Sequence, residues 1–318
     1  MNPRLRLGTL PTPVEPLPRL SARLGCQLFV KRDDMTGIAF GGNKVRKLEF
    51  VLADAVAHGA KTIITVGAVQ SNHCRITAAL SAKLGLHCIL VLSGSPPENP
   101  NGNLLLDYLL GTEIVWSTRE QRDEMLKQTF DEAWAAGKRP FLIPLGASTP
   151  VGTLGYLEGF REFIQQGVEV DWIVVASSSA GTQAGLVLGA IQAGWNGRIL
   201  GISIDHKASV LQDMVAELAM ETADRVRQKV RISRDMIRVS ADYLGDGYGF
   251  MEQSEKDAIQ LFAREEGLFL DPVYTGRAAA GMLDLAANGF FKPHERILFW
   301  HTGGTPALFA DSYAGDLV

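Results

Sequence analysis

The chain has 318 residues, 46% of them hydrophobic and 21% charged. That balance argues against disorder and coiled coil and fits two domains or one large α/β domain. With 31 basic and 35 acidic residues the net charge is −4, which argues against nucleic acid or anionic membrane as a partner, because such binders need a basic surplus. Cys26, Cys74 and Cys88 are scattered. Their spacing suits neither a disulfide framework nor a metal site, and reads as buried small side chains in a reducing, cytoplasmic setting.

In chain order, the first twenty residues carry five prolines and no apolar run, unlike a signal peptide. Thr62–Val66 (TIITV) predicts a strand that leads through GAVQSN into a helix from His73, which Gly85 stops. Cys88–Leu92 predicts a second strand, followed by a polar surface connection over Ser93–Asn103. Glu113–Trp116 predicts a third, and Gly137 ends the helix after it. Trp172–Ala176 (WIVVA) predicts a strand leading through SSSAGT into a helix that Gly194 stops. The uncharged stretch Trp172–Gly197 is long enough to span a bilayer, but its hydroxyl-rich SSSAGTQAG centre excludes that. Six basic residues between Arg225 and Arg238 read as a solvated helix face, and Ile199–Ile204 and Ile297–Trp300 predict the remaining strands. Short apolar runs alternating with helices indicate parallel strands buried on both faces, an α/β fold of open twisted sheets.

Such sheets hold ligands at the loops leaving the carboxyl ends of their strands, and three loops carry more than turn chemistry. Phe40-Gly41-Gly42-Asn43-Lys44 places two glycines for close backbone approach, an N-cap asparagine and a lysine in the first helical turn. The positive helix end lowers the cost of a neutral amine there, as a cofactor-linking lysine requires. Gln70-Ser71-Asn72-His73 sets a hydroxyl, an amide and free N–H groups at a strand-to-helix junction, a carboxylate site. Ser177-Ser178-Ser179-Ala180-Gly181-Thr182 makes a phosphate cup at a helix N-terminus. It lacks the P-loop lysine and the GxGxxG pattern, so it suits a single phosphate monoester. A reactive lysine, a carboxylate loop and a phosphate cup together describe a site for pyridoxal 5′-phosphate.

The strings LPTPVEPLPRLS, KRDDMTGIAFGGNKVRKLEF, GAVQSNHCRITAALSAKLGLHC, SSAGTQAGL, GYG, EEGLFLDPVYTGRAAAG and HTGGTPALF run nearly end to end in this order. With them the sequence resembles the D-cysteine desulfhydrase / 1-aminocyclopropane-1-carboxylate (ACC) deaminase family of pyridoxal phosphate enzymes, of the tryptophan-synthase-β-like class (fold type II). The resemblance implies two open twisted α/β domains with the cofactor in the cleft between them. Residues 1–46 and 154–318 would form the larger, cofactor-binding domain and 47–153 a smaller mobile one. It implies that Lys44 is the lysine joined to the cofactor, with Asn43 and Asn72 near the ring hydroxyl. Ser179, Ala180, Gly181 and Thr182 would hold the phosphate. Ser71, Asn72 and His73 would face the substrate carboxylate, with Ser71 acting as nucleophile or base. Tyr248 and Tyr274 would be the two active-site tyrosines.

Three departures qualify the resemblance. Thr275 and Thr302 stand where ACC deaminases carry glutamate and leucine, and match the desulfhydrase branch. A threonine hydroxyl beside the pyridine nitrogen, or against the substrate, leaves a weaker electron sink than a carboxylate would. That suffices for a good β-leaving group. Ser178 replaces a glycine common before SAGT, and Met251 alters the segment after GYG. The implied activity is α,β-elimination of D-cysteine to pyruvate, hydrogen sulfide and ammonia, by a cytoplasmic homodimer acting on a small amino acid. L-cysteate sulfo-lyase is the first alternative and ACC deaminase a weaker one. A pyridoxal-phosphate-binding protein without turnover is the non-enzyme alternative, and intact Lys44, Ser71, Tyr248 and Tyr274 speak against it.

Overall fold

The computed structural model describes residues 3–317; residues 1, 2 and 318, at the ends of the expected larger domain, lie outside the described residues. The strands are β1 (Val14–Pro16), β2 (Gln27–Arg32), β3 (Thr62–Ala68), β4 (His87–Ser93), β5 (Glu113–Ser117), β6 (Pro140–Ile143), β7 (Trp172–Ser177), β8 (Arg198–Ser203), β9 (Arg238–Ser240) and β10 (Arg296–His301). They form a six-stranded sheet in the order β1-β2-β10-β7-β8-β9 and a four-stranded sheet in the order β5-β4-β3-β6. Apart from the antiparallel β1–β2 pair, every pairing is parallel.

Both sheets are covered on both faces, as the uninterrupted apolar runs predict. Leu298 and Trp300 of β10 pack with Tyr156, Phe160 and Leu186 on one face, while Phe299 between them joins Val30, Val174 and Phe262 on the other. Ile63 and Ile64 of β3 likewise face separate clusters, one holding Leu48 and Ile76 and the other Ile89 and Ala133. This alternation is the period-two pleat applied to strands with no solvent side.

Three helices stack across the boundary between the sheets, and small residues set their spacing. A methyl group on Gly155, in helix Pro150–Gln165, would lie 2.2 Å from the carbonyl oxygen of Arg46, in helix Lys44–Ala57. One on Gly185 of helix Gly181–Ala193 would lie 2.4 Å from Tyr156 Cβ. Backbones in near contact leave little freedom to slide, so the N-termini carrying Lys44 and Thr182 are held in fixed relation.

Within this stack lies a buried charge network. Asp33, fully buried at the end of β2, accepts from Arg46 Nε and Nη2 (both 2.8 Å), Tyr156 Oη (2.6 Å), Trp300 Nε1 (2.9 Å) and Thr12 Oγ1 (2.8 Å). Arg46 also donates to Glu162 Oε1 and Oε2 at 2.8 and 2.9 Å, and Lys31 Nζ reaches Glu162 at 2.6 Å. Burial pushes the Asp33 carboxyl up, yet the charges of Arg46 and Lys31 and the Trp300 hydrogen bond outweigh it and lower it to about 2.

Two sequence expectations are corrected here. The basic run from Arg225 to Arg238 is solvated but not a helix face, because helix Ala208–Arg225 ends where it starts and the rest is largely irregular. The segment Ser93–Asn103 is not only a surface connection: helix Gly102–Leu109 begins within it, and Asn103 is fully buried.

Arg46→Met should keep the volume of the helix interface but leave Asp33 and Glu162 buried without their shared cation. We expect a loss of about 3–5 kcal/mol, the range for breaking a buried ion pair from one side, read as a lowered midpoint in thermal or urea unfolding.

Candidate active site

A cavity of about 480 Å³ opens between the two sheets, lined by loops that leave the carboxyl ends of β3, β4, β5 and β6 on one side and β7, β8 and β10 on the other. Asn43, Lys44, Ser71, Asn72, His73, Ser179, Ala180, Thr182, Tyr248, Tyr274 and Thr302 all line it. Chain segments more than 250 residues apart thus meet as the motif reading predicts.

Lys44 is the first residue of its helix, with Asn43 at the N-cap position. The glycines before it allow the approach expected of them: a methyl on Gly41 (φ +65°) would lie 2.0 Å from Asp34 O, and one on Gly42 (φ +125°) 3.0 Å from Thr302 O. The Asn43 side chain does not cap the helix. It donates from Nδ2 to Thr182 Oγ1 at 3.0 Å and accepts from Lys44 Nζ at 3.0 Å. Burial lowers the Lys44 amine to about 8; the Asp271 charge opposes the fall and Arg75 adds to it.

Ser71 caps helix Asn72–Lys83 by accepting from Cys74 N at 3.2 Å, so it serves as helix cap and as cavity wall together. Asn72 Oδ1 accepts from Arg75 Nη1 (2.8 Å) and Asn103 Nδ2 (3.0 Å). That fixes the amide with its N–H₂ group turned away from both. His73 Nε2 lies 2.8 Å from Thr65 Oγ1, which spends its one hydrogen on Ile143 O at 2.7 Å. Nε2 therefore carries the ring proton, and buried Nδ1, with no protein partner among the described residues, keeps a free lone pair. Burial, aided by the charges of Lys44 and Lys47, lowers the imidazole well below its ordinary value and keeps it neutral.

The Tyr248 and Tyr274 hydroxyls are 2.7 Å apart. Burial raises both, so both remain protonated. Thr302 is buried against the cavity and its hydroxyl has no protein partner among the described residues. Thr275 behaves differently from expectation. It is not a cavity-lining residue; its hydroxyl donates to Asp271 Oδ1 and accepts from Asp271 N, both at 2.7 Å, and is thereby used up in an Asp271 turn. Gly181 also has no place on the lining; it is the first residue of helix Gly181–Ala193 and contributes backbone.

The residues present fit a phosphorylated cofactor. Ala180, at the N-cap, offers no side-chain cap; the Gly181 N–H turns back to Ser179 O at 2.8 Å, which leaves the first-turn N–H groups of Thr182 and Gln183 for an anion. Lys47 closes the back of this cup: its buried Nζ donates to Ser148 Oγ (2.9 Å) and Gly146 O (3.1 Å), and a methyl on Gly181 would come within 2.7 Å of it. Ser148 in turn contacts Ser179 Oγ at 2.8 Å. Burial, with Lys44 nearby, lowers the Lys47 amine well below its ordinary value. A doubly charged phosphate supplies the counter-charge that the protein leaves out.

The sequence profile of the pyridoxal-phosphate dependent enzymes matches residues 5–303. The chain belongs to that family. The enzyme is 45% identical over 321 residues to the D-cysteine desulfhydrase of Klebsiella pneumoniae (strain 342), covering 97% of this chain and 96% of that protein. It is 44% identical over 317 residues to the protein of the same name from Salmonella typhi, with the same coverage. The crystal structure of an ACC deaminase homologue matches with a TM-score of 0.89 at 39% identity, covering 99% of this chain and 95% of that one. Threonine deaminase isoform 2 of Solanum lycopersicum matches with a TM-score of 0.65 at 16% identity over 92% of this chain and 79% of that one, a likeness of fold alone.

Lys47, Asn103 and Asp271, and on the cavity wall Arg119, Arg122 and Asp205, are site residues that sequence reasoning passed over. Lys47 lies one helical turn after Lys44, a spacing that puts both on one face, and that signal was available. Asn103 acts through contacts formed only in the fold, whereas Asp271 bonds the backbone of Val273, Tyr274 and Thr275 in a turn of its own segment.

Two outcomes follow from this geometry. In cofactor-free protein, acylation of Lys44 should rise with pH around a midpoint near 8, because only the neutral amine reacts; peptide mapping of the label against pH checks it. Thr182→Val removes a hydroxyl from the cup while keeping its shape. Pyridoxal phosphate should then bind more weakly by roughly 1.5–3 kcal/mol, the range for a hydrogen bond to a charged group, as equilibrium dialysis would read.

Proposed function

We propose that the enzyme catalyses α,β-elimination of D-cysteine, releasing pyruvate, hydrogen sulfide and ammonia with uptake of one water. The observation that carries this reading is the near full-length identity to proteins named D-cysteine desulfhydrase. The cavity agrees with it, because Thr302 on its wall offers a hydroxyl and no carboxylate.

In this reading Lys44 is the residue joined to pyridoxal phosphate, Ser179 to Thr182 and Lys47 hold the phosphate, and Asn43, Asn72 and Thr302 bear on the ring. Bound pyridoxal phosphate supplies an electron sink for the charge left when the substrate α-proton departs. Lys44 is the base that takes that proton, since its lowered value leaves neutral amine available near neutrality, whereas the tyrosines are held protonated. Ser71, its oxygen occupied by Cys74 N–H, keeps its hydrogen for the substrate carboxylate, joined by the free N–H₂ of Asn72. His73 Nδ1 stands beside them as a neutral acceptor. The Tyr248–Tyr274 pair donates a proton to the leaving sulfur.

Residues 47–153 are the smaller unit that moves over substrate in this reading. Support comes from their separate four-stranded sheet, although the proposed boundaries fall inside helices Lys44–Ala57 and Pro150–Gln165. Exposed Leu109 and Phe309 support self-association as a homodimer. No described helix is long and apolar enough to cross a membrane, and the three thiols are free, in keeping with a cytoplasmic enzyme.

A second reading, elimination of sulfite from L-cysteate, is favoured by Arg119 and Arg122, which line the cavity after β5. Arg277 has no part in it, being buried and bound to Glu255 and three carbonyls.

A panel of D- and L-cysteine, L-cysteate, β-chloro-D-alanine and ACC tests the proposal. We expect pyruvate with sulfide from D-cysteine and little 2-oxobutyrate from ACC. Turnover of L-cysteate alone would replace the substrate, and equal turnover of ACC would overturn the assignment.

A further inference from the structure

Ser178 and Asp205 line the same cavity and are not accounted for by the reaction described above. They sit one and two residues beyond Ser177 and Ser203, which are paired in register at the ends of β7 and β8. That register brings the Ser178 hydroxyl to 3.0 Å from Asp205 Oδ2, to which it donates. The serine that replaces the customary glycine therefore serves to hold a carboxylate. The other oxygen, Oδ1, is buried and has no hydrogen-bond partner among the described residues. The His206 ring nitrogen Nε2 stands 3.6 Å from Oδ1, outside hydrogen-bond reach.

A buried acceptor without a donor costs free energy unless a ligand supplies one. The Tyr248–Tyr274 pair shares this region, since the Asp205 charge is among the influences that raise both tyrosines. Arg119 and Arg122 belong to the wall given by the four-stranded sheet, and Arg119 is exposed. The wall that holds Asp205 thus carries a carboxylate, and the wall given by the four-stranded sheet carries two arginines.

We propose that Asp205, anchored by Ser178, is a specificity residue: Oδ1 accepts a hydrogen bond from a donor group on the substrate's β-carbon, such as a thiol or an ammonium, and its charge repels a β-substituent that ends in a fixed anion. This deepens the elimination reading above and sets cysteine against cysteate within it. The step itself involves no covalent change at Asp205.

The test uses three ligands that differ only at the β-substituent: D-cysteine, D-2,3-diaminopropionate and D-cysteate. Each is mixed rapidly with the pyridoxal phosphate holoenzyme, and its dissociation constant is taken from the first change in the cofactor absorption band, before turnover. Wild type should bind the thiol and the diamine more tightly than the sulfonate. In Asp205→Asn, and in Asp205→Ser should the first variant fold poorly, the ratio of sulfonate to thiol dissociation constants should fall by roughly 10-fold or more. Taking a ratio within one protein cancels any loss of folded material. An unchanged ratio, or equal weakening of all three ligands, would overturn the proposal by reducing Asp205 to a structural part. Because binding is read without turnover, this result is independent of whether sulfide is released from D-cysteine, which tests the reaction itself.

Discussion

The structure depends on the buried ion network in which Arg46 is shared by Asp33 and Glu162. Asp33 directly follows β2 of the six-stranded sheet, Arg46 lies two residues beyond Lys44, and Glu162 belongs to the helix that packs on both neighbours. Replacing such a network by apolar groups is often neutral for stability, so its value lies in specification. A desolvated guanidinium with two carboxylates has one low-energy arrangement, and sliding helix Lys44–Ala57 by one residue would break five hydrogen bonds. The position of Lys44 relative to the sheet follows from it.

Around that fixed point, burial sets the chemistry. Lys44 and His73 on the cavity wall and Lys47 close behind them are near one another, and desolvation lowers all three from their ordinary values. Burial raises the two tyrosines on the same cavity. An amine brought down to about 8, part of it neutral near pH 7, and two protonated phenols suit the roles of base and acid proposed for them.

Much of this was legible in the sequence because parallel strands buried on both faces leave long apolar runs. The predicted strands at Thr62, Cys88, Glu113, Trp172, Ile199 and Ile297 correspond to β3, β4, β5, β7, β8 and β10. β2 escaped, since QLFVKR ends in two charges, and only the network and the Glu15 and Asp34 pairs explain why Lys31 and Arg32 can lie there. β6 and β9 are too short, at four and three residues, to stand out from loops. Gly85, Gly137 and Gly194 do adopt the left-handed conformation that ends helices, at φ +67°, +70° and +60°.

The sequence by itself determined the parallel α/β class and the three loops, after Gly41, Gln70 and Ser177, that meet at the cavity. Local chemistry suffices for each, because a glycine turn, an N-cap or a free helix terminus is built from neighbours in the chain. Only the tertiary structure decided which of two threonines reaches the cavity. Thr275 is spent on Asp271 four residues earlier, while Thr302 keeps its hydroxyl free. It also decided that Ser178 meets Asp205 and that Lys47 backs the phosphate cup. These contacts join strands and helices distant in sequence, and the register between them is set by packing and desolvation across the whole molecule, which no local pattern encodes.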